Sequence, residues 1–189
     1  MKKFYYRTRK IVTPIFNTLF HPVVAGVENI PVNGSFILGG NHTSMLDIPL
    51  LITTIDREIN FMAKKELFSI PVISSVFRKM GAFSIDRQLP NGDFTAIKKS
   101  IKLLKEEHVV GIFPEGTRNK NHEDLPFSPI AKLAILTKAP IVPFGISGSY
   151  KIGKSITLHL GEAIDIDMIK QLGNSADDYI KMKIKSLLK

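Results

Sequence analysis

The 189-residue chain contains no cysteine and no tryptophan. Without cysteine it has no disulfides, no thiolate metal sites and no cysteine nucleophile. A long apolar run is missing as well. The uncharged stretch from Ile11 to Val27 is 17 residues, but Pro14, Asn17, His21 and Pro22 interrupt it, and a membrane span needs about 20 predominantly apolar residues. No clean apolar segment leads to a small-residue cleavage site, so no secretory signal is read here. A glycine-rich triphosphate loop is absent too. His21, His108, His122 and His159 are scattered rather than set at metal-ligand spacing, so no metal site is expected.

Acidic residues are missing from both ends. Residues 1–10 carry five bases (Lys2, Lys3, Arg7, Arg9, Lys10) and residues 181–189 carry four (Lys181, Lys183, Lys185, Lys189), whereas residues 11–180 hold 17 bases and 17 acids. The net charge of +9 therefore lies entirely at the termini. A nucleic-acid binder spreads its cations over a reading face with interleaved aromatics; basic ends on a neutral body suit attachment to an anionic surface. The expected partner is an anionic phospholipid membrane surface, not nucleic acid. Residues 1–25 read as an amphipathic segment lying in the membrane interface, with Phe4, Tyr5, Ile11, Val12, Ile15, Phe16, Leu19 and Phe20 near helical spacing and Pro14 as a kink or restart. The same pattern also fits a helix docked on the domain's own core.

What is present is a regular alternation of elements. Short apolar runs at 35–38, 59–63, 81–85, 109–113, 141–147 and 155–160 read as strands, and residues 26–34 as a further short strand and turn. Helical stretches begin near Asp47, Leu67 (with Pro71 as a weak point), Asp93, Ser128-Pro129 and Asp177. In the helix capped by Asp93 the predicted core stripe is Phe94, Ile97, Ile101 and Leu104. Alternation of this kind predicts one α/β domain with a central, mostly parallel or mixed sheet flanked by helices, plus the N-terminal amphipathic helix.

In such sheets ligands bind beyond the carboxyl ends of the strands. Four marked clusters fall there: Asn41-His42-Thr43-Ser44-Met45-Leu46-Asp47, Lys64-Lys65, Asp86-Arg87, and Glu115-Gly116-Thr117-Arg118. His42 and Asp47 are about 140° out of register on a continuous helix, so they meet only if the backbone turns between them, as Gly39-Gly40-Asn41 suggests. If they meet, Asp47 fixes the imidazole tautomer and leaves the other nitrogen free to take a proton. If they do not, His42 caps a turn and Asp47 caps a helix. Cations near one histidine point to an anionic substrate, most economically a phosphate. Glu115, Gly116 and Thr117 offer a carboxylate, close backbone approach and a hydroxyl to a polyol.

These blocks resemble the glycerophospholipid acyltransferases typified by bacterial 1-acylglycerol-3-phosphate acyltransferase. The resemblance runs from about Gly26 to Gly161 and rests on the order of four motifs: Asn41 to Asp47, Gly81 to Arg87, Phe113 to Arg118, and Ala139-Pro140-Ile141-Val142-Pro143, with Phe61 to Leu67 as a further segment. It implies an acyltransferase domain over 26–189 that moves a fatty acyl group from a thioester to the free hydroxyl of lysophosphatidic acid, giving phosphatidic acid in phospholipid biosynthesis. His42 is then the general base and Asp47 its orienting carboxylate, while Lys64, Arg87, Glu115, Gly116, Thr117 and Arg118 bind the glycerol phosphate. No cofactor is implied; the co-substrate is an acyl-coenzyme A or an acyl carrier protein thioester, the carrier protein then being a partner. The implied location is the cell membrane, peripheral or monotopic on its cytoplasmic face. Another acceptor, such as glycerol 3-phosphate or a different lysolipid, and a noncatalytic lipid-binding protein of the same fold are the alternatives. Ser44 as an acylated nucleophile is a lesser one. The chain departs from the family after Pro126-Phe127, where Ser128-Pro129-Ile130 replace the usual lysine and glycine.

Overall fold

The computed structural model describes residues 2–86, 93–118 and 130–188. Among these, seven strands form a single sheet: β1 Val23–Ala25, β2 Phe36–Gly40, β3 Ile59–Lys64, β4 Phe83–Ile85, β5 Val109–Ile112, β6 Ile141–Gly148 and β7 Ile156–Leu160. Their order across the sheet is β1-β7-β6-β2-β5-β3-β4. The run from β6 through β2, β5 and β3 to β4 is parallel throughout, while β7 is antiparallel to β6 and parallel to β1. The α/β reading with a mixed sheet is therefore correct.

The central strands are buried over their whole length in β2 and β5, which is why they read as continuous apolar runs rather than alternating ones. Their side chains still alternate between two cores. Phe36, Leu38 and Val109 face a cluster with Tyr5, Phe16, Leu50, Leu51, Phe61 and Phe144. Ile37 and Val110 face the opposite one, with Leu103, Leu104, Ile141, Ile180 and Ile184. The first core is closed by α1 (Lys2–Phe20) and α2 (Asp47–Thr54), the second by α4 (Phe94–Lys105), α5 (Ala131–Thr137), α6 (Ile166–Leu172) and α7 (Ala176–Ser186). The remaining helix, α3, spans Pro71–Lys79. At Gly40 an added methyl would strike the ring and carbonyl of Phe144, so glycine there lets β2 and β6 approach at the edge where the site is built.

Several local expectations change. Pro14 does not restart α1, which is continuous through it from Lys2 to Phe20. The proline lies on the exposed side of the helix, where the carbonyl it frees is not sealed in the core. Pro71 is not a weak point but the first residue of α3, where its missing N–H costs nothing. Asp93 does cap α4, accepting from the amides of Thr95 and Ala96 at 2.9 and 3.0 Å. The buried face of α4 is Ala96, Ser100, Leu103 and Leu104, however, and Phe94 and Ile97 are 63% and 44% exposed. Small residues turned toward the sheet let the helix lie close, which outweighs the larger apolar stripe. The short strand expected within 26–34 lies instead just before it, at Val23–Ala25, because Gly26 adopts a left-handed φ of 80° and starts a 3-10 turn at Val27–Asn29. The expected helix start at Ser128-Pro129 lies outside the described residues.

Candidate active site

The loop from β2 to α2 folds back on itself, and this brings His42 to Asp47. His42 Nδ1 lies 2.8 Å from Asp47 Oδ2. The same oxygen accepts from the backbone amides of Thr43 and Ser44 at 2.7 and 2.9 Å. The other oxygen, Oδ1, accepts from the Thr43 hydroxyl at 3.2 Å and from the Tyr150 hydroxyl at 2.6 Å. Asp47 is fully buried. Burial by itself pushes a carboxyl group upward in pKa, but the bonds from His42, the Ser44 amide, Tyr150 and the Thr43 amide outweigh it, and Asp47 is held below its ordinary value. The balance is reasonable in magnitude: an unpaired buried carboxylate costs several kcal/mol, and each hydrogen bond to a charged group contributes about 1.5–3 kcal/mol.

An ionised carboxylate only accepts, so the proton between it and His42 sits on Nδ1, and in the neutral imidazole Nε2 is left as the acceptor. The His42 side chain is 16% exposed, open enough to be reached. Its ring stacks on Phe113 with centroids 4.0 Å apart and an interplanar angle of 23°. Phe113 follows β5 directly, so this contact joins the histidine loop to the segment carrying Glu115. At the base of the loop, buried Asn41 accepts from the Ile146 amide at 2.7 Å and donates to its carbonyl at 2.8 Å. That pair ties the end of β2 to β6. Ser44 is turned elsewhere: its Oγ accepts from the Leu46 amide at 3.2 Å, which makes it part of the turn that delivers Asp47 to α2.

Those of the remaining candidates that are described follow β5, which pairs with β2, and β3, which lies next beyond it in the sheet. Lys64 ends β3 and is exposed. The adjacent Lys65 pairs with Asp86 at 2.6 Å, which raises its pKa and engages the charge within the protein. Glu115, Gly116, Thr117 and Arg118 follow β5. Gly116 takes a left-handed φ of 68° and its amide donates to the Phe113 carbonyl at 2.9 Å, a turn that a residue with a side chain enters only under strain. Glu115 Oε2 is buried without a hydrogen-bond partner among the described residues. Thr117 and Arg118 are exposed. Arg87 lies outside the described residues.

Residues 21–147 match the family model described as Acyltransferase. The chain belongs to the acyltransferase family. It is 39% identical over 145 residues to the 1-acyl-sn-glycerol-3-phosphate acyltransferase of Bacillus subtilis, a match covering 72% of this chain and 70% of that protein. The protein of the same name from Borreliella burgdorferi is 30% identical over 154 residues, covering 76% of this chain and 62% of the relative. In three dimensions the chain is similar to the crystal structure of the 1-acyl-sn-glycerophosphate acyltransferase PlsC from Thermotoga maritima, with a TM-score of 0.78, 27% identity, and coverage of 96% of this chain and 77% of that one. The segment matched by the acyltransferase model contains every candidate residue named from the sequence. Tyr150 lies just beyond it.

Within this acyltransferase, Phe113 and Tyr150 escaped the sequence reading as parts of the site. Phe113 was visible as the residue ahead of the Pro114-Glu115 motif, but nothing in the pattern assigns its ring to His42. For Tyr150 a signal existed. It follows β6, a strand parallel to β2, so its loop belongs to the same carboxyl edge as the four clusters already marked.

Proposed function

We propose that this acyltransferase moves a fatty acyl group from a thioester to the free hydroxyl of lysophosphatidic acid, giving phosphatidic acid and a free thiol. The observation that carries the reading is the 2.8 Å contact between His42 Nδ1 and buried Asp47, within a chain whose relatives bear the names given above. The acceptor hydroxyl loses its proton to His42 Nε2 as its oxygen bonds to the thioester carbonyl carbon. The tetrahedral oxyanion then collapses, the C–S bond breaks, and the sulfur leaves with the proton held by the imidazolium. A thioester is already activated, so a positioned alcohol and a base suffice without a covalent enzyme intermediate. No cofactor enters this scheme; the donor is an acyl-coenzyme A or an acyl carrier protein thioester. Lys64, Arg87 and Arg118 hold the phosphate, and Glu115, Gly116 and Thr117 the glycerol.

The acceptor and product are lipids, and we place the enzyme on the cytoplasmic face of the cell membrane, attached through residues 1–25. No helix among the described residues is long and apolar enough to cross a membrane. In α1 one face is committed to the protein: Tyr5 and Phe16 are buried, Tyr5 donates to the Arg57 carbonyl, and Arg9 bonds to Asp56 and the Ile52 carbonyl. On the outward face Phe4, Ile11 and Ile15 are 37%, 65% and 56% exposed, and Lys3, Arg7 and Lys10 are exposed beside them. The helix therefore docks on its own core and still offers an apolar strip with basic flanks.

Both parts are tested together by incubating the purified protein with lysophosphatidic acid, other lysolipids or glycerol 3-phosphate, each donor type, and anionic or neutral vesicles at low and high salt. Mass spectrometry should find phosphatidic acid as the main product, with vesicle binding that is stronger on anionic lipid and weakened by salt. Faster transfer to another acceptor would reassign the substrate, lipid binding without turnover would remove the enzymatic reading, and equal binding to neutral vesicles would remove the electrostatic one.

A further inference from the structure

The oxygen of Asp47 that His42 does not use is held by a residue outside the family-matched segment. Tyr150 donates to Oδ1 at 2.6 Å, the shortest of the bonds to this carboxylate. The phenol is pushed far above its ordinary pKa, first by burial and then by the Asp47 charge, and so stays a donor at any working pH. Its ring meets two rings of α1 edge-on: Phe16 at 6.3 Å and 69°, and Phe20 at 5.7 Å and 84°. A backbone bond reinforces the contact, since the Gly153 amide in the same loop donates to the Leu19 carbonyl at 3.1 Å.

The torsion that turns a carboxylate plane is soft. Three donors converge on Oδ2, but without Tyr150 the other oxygen keeps only the Thr43 hydroxyl at 3.2 Å. A short bond to Oδ1 from a ring that is itself wedged against a helix fixes that plane, and with it the direction in which His42 presents Nε2. We propose that Tyr150 is a positioning residue for acyl transfer, clamping Asp47 at Oδ1, and that α1 holds the clamp in place through Phe16 and Phe20. The proposal rests on the reading of His42 as the base. It makes the geometry of the reactive pair depend on the docking of α1, the same helix whose outward face is placed at the lipid surface.

Tyr150→Phe keeps the ring and deletes only the hydrogen bond. The expected result is a kcat lowered about tenfold, with KM for lysophosphatidic acid changed less than about twofold. The His42 Nδ1–H resonance, identified by its loss in His42→Ala, should move in the proton NMR spectrum. Phe20→Ala should lower kcat in the native background and add little in the Tyr150→Phe background, because the two act through one contact. An unchanged kcat and an unmoved resonance in a folded Tyr150→Phe protein would overturn the proposal, as would losses from the two substitutions that simply multiply. If the native enzyme turns over, His42→Ala does not, and Tyr150→Phe is fully active, the clamp alone fails; if His42→Ala is also active, the base reading fails with it.

Discussion

His42 and Asp47 are enclosed and tied down, whereas the cations assigned to the phosphate stand in the open. Asp47 is fully buried and accepts from His42, Thr43, Ser44 and Tyr150, and His42 is pinned between that carboxylate and the Phe113 ring. Lys64 and Arg118 are exposed and form no salt bridge with another described residue. The contrast fits the roles proposed for the two halves. Proton transfer needs atoms held within tenths of an ångström, which only packing and multiple hydrogen bonds supply. Holding a dianionic headgroup needs charge and reach, and cations that remain solvated until the ligand arrives avoid the desolvation cost of waiting in a dry pocket.

Substitutions should divide along the same line. The largest effect after the base itself is expected at Asp47→Asn, which reverses part of the hydrogen-bonding around His42. It should lower kcat about 10²- to 10⁴-fold with little change in KM, measured by steady-state kinetics. It should also show in stability. The native carboxyl is held below its ordinary pKa, so its contribution is fully present above the unfolded value of about 3.9 and is lost as pH falls through the folded value. In thermal melts the Asp47→Asn variant should therefore unfold well below the native protein at neutral pH, with the gap narrowing below about pH 4. A smaller effect is expected on the open side. Arg118→Ala or Lys64→Ala should raise KM for lysophosphatidic acid about tenfold while kcat changes less, and added salt should raise the native KM in the same direction. A kcat loss at Arg118 as large as that at Asp47 would erase the distinction between the two halves.

How much of this was legible in the sequence also differs between regions. The sheet and its edge were readable because β2, β5 and β6 are uninterrupted apolar runs ending in glycine, proline or charged residues, and a parallel sheet brings those ends together. The His42 to Asp47 turn could be inferred only as a possibility, since a five-residue spacing is equally compatible with two separate caps. What escaped were features set by packing. Phe94 and Ile97 carry the stronger helical stripe, yet Ala96 and Ser100 face the sheet because proximity rewards small residues there. The helix α6 was not anticipated: Ile169 is buried and Ile166 and Leu172 pack partly against the same core, but seven residues are too few for that spacing to stand out as a helical period. Tyr150 contacts Asp47 across 103 residues of chain, and no local pattern encodes a partner at that distance.

The central claim is that a histidine fixed by a buried carboxylate removes the proton from the lysolipid hydroxyl. The most direct measurement is turnover of lysophosphatidic acid by folded His42→Ala, with circular dichroism and vesicle binding matched to the native protein. A fall in kcat of about 10²-fold or more, with acceptor binding retained, is the predicted result; turnover close to the native rate would contradict it.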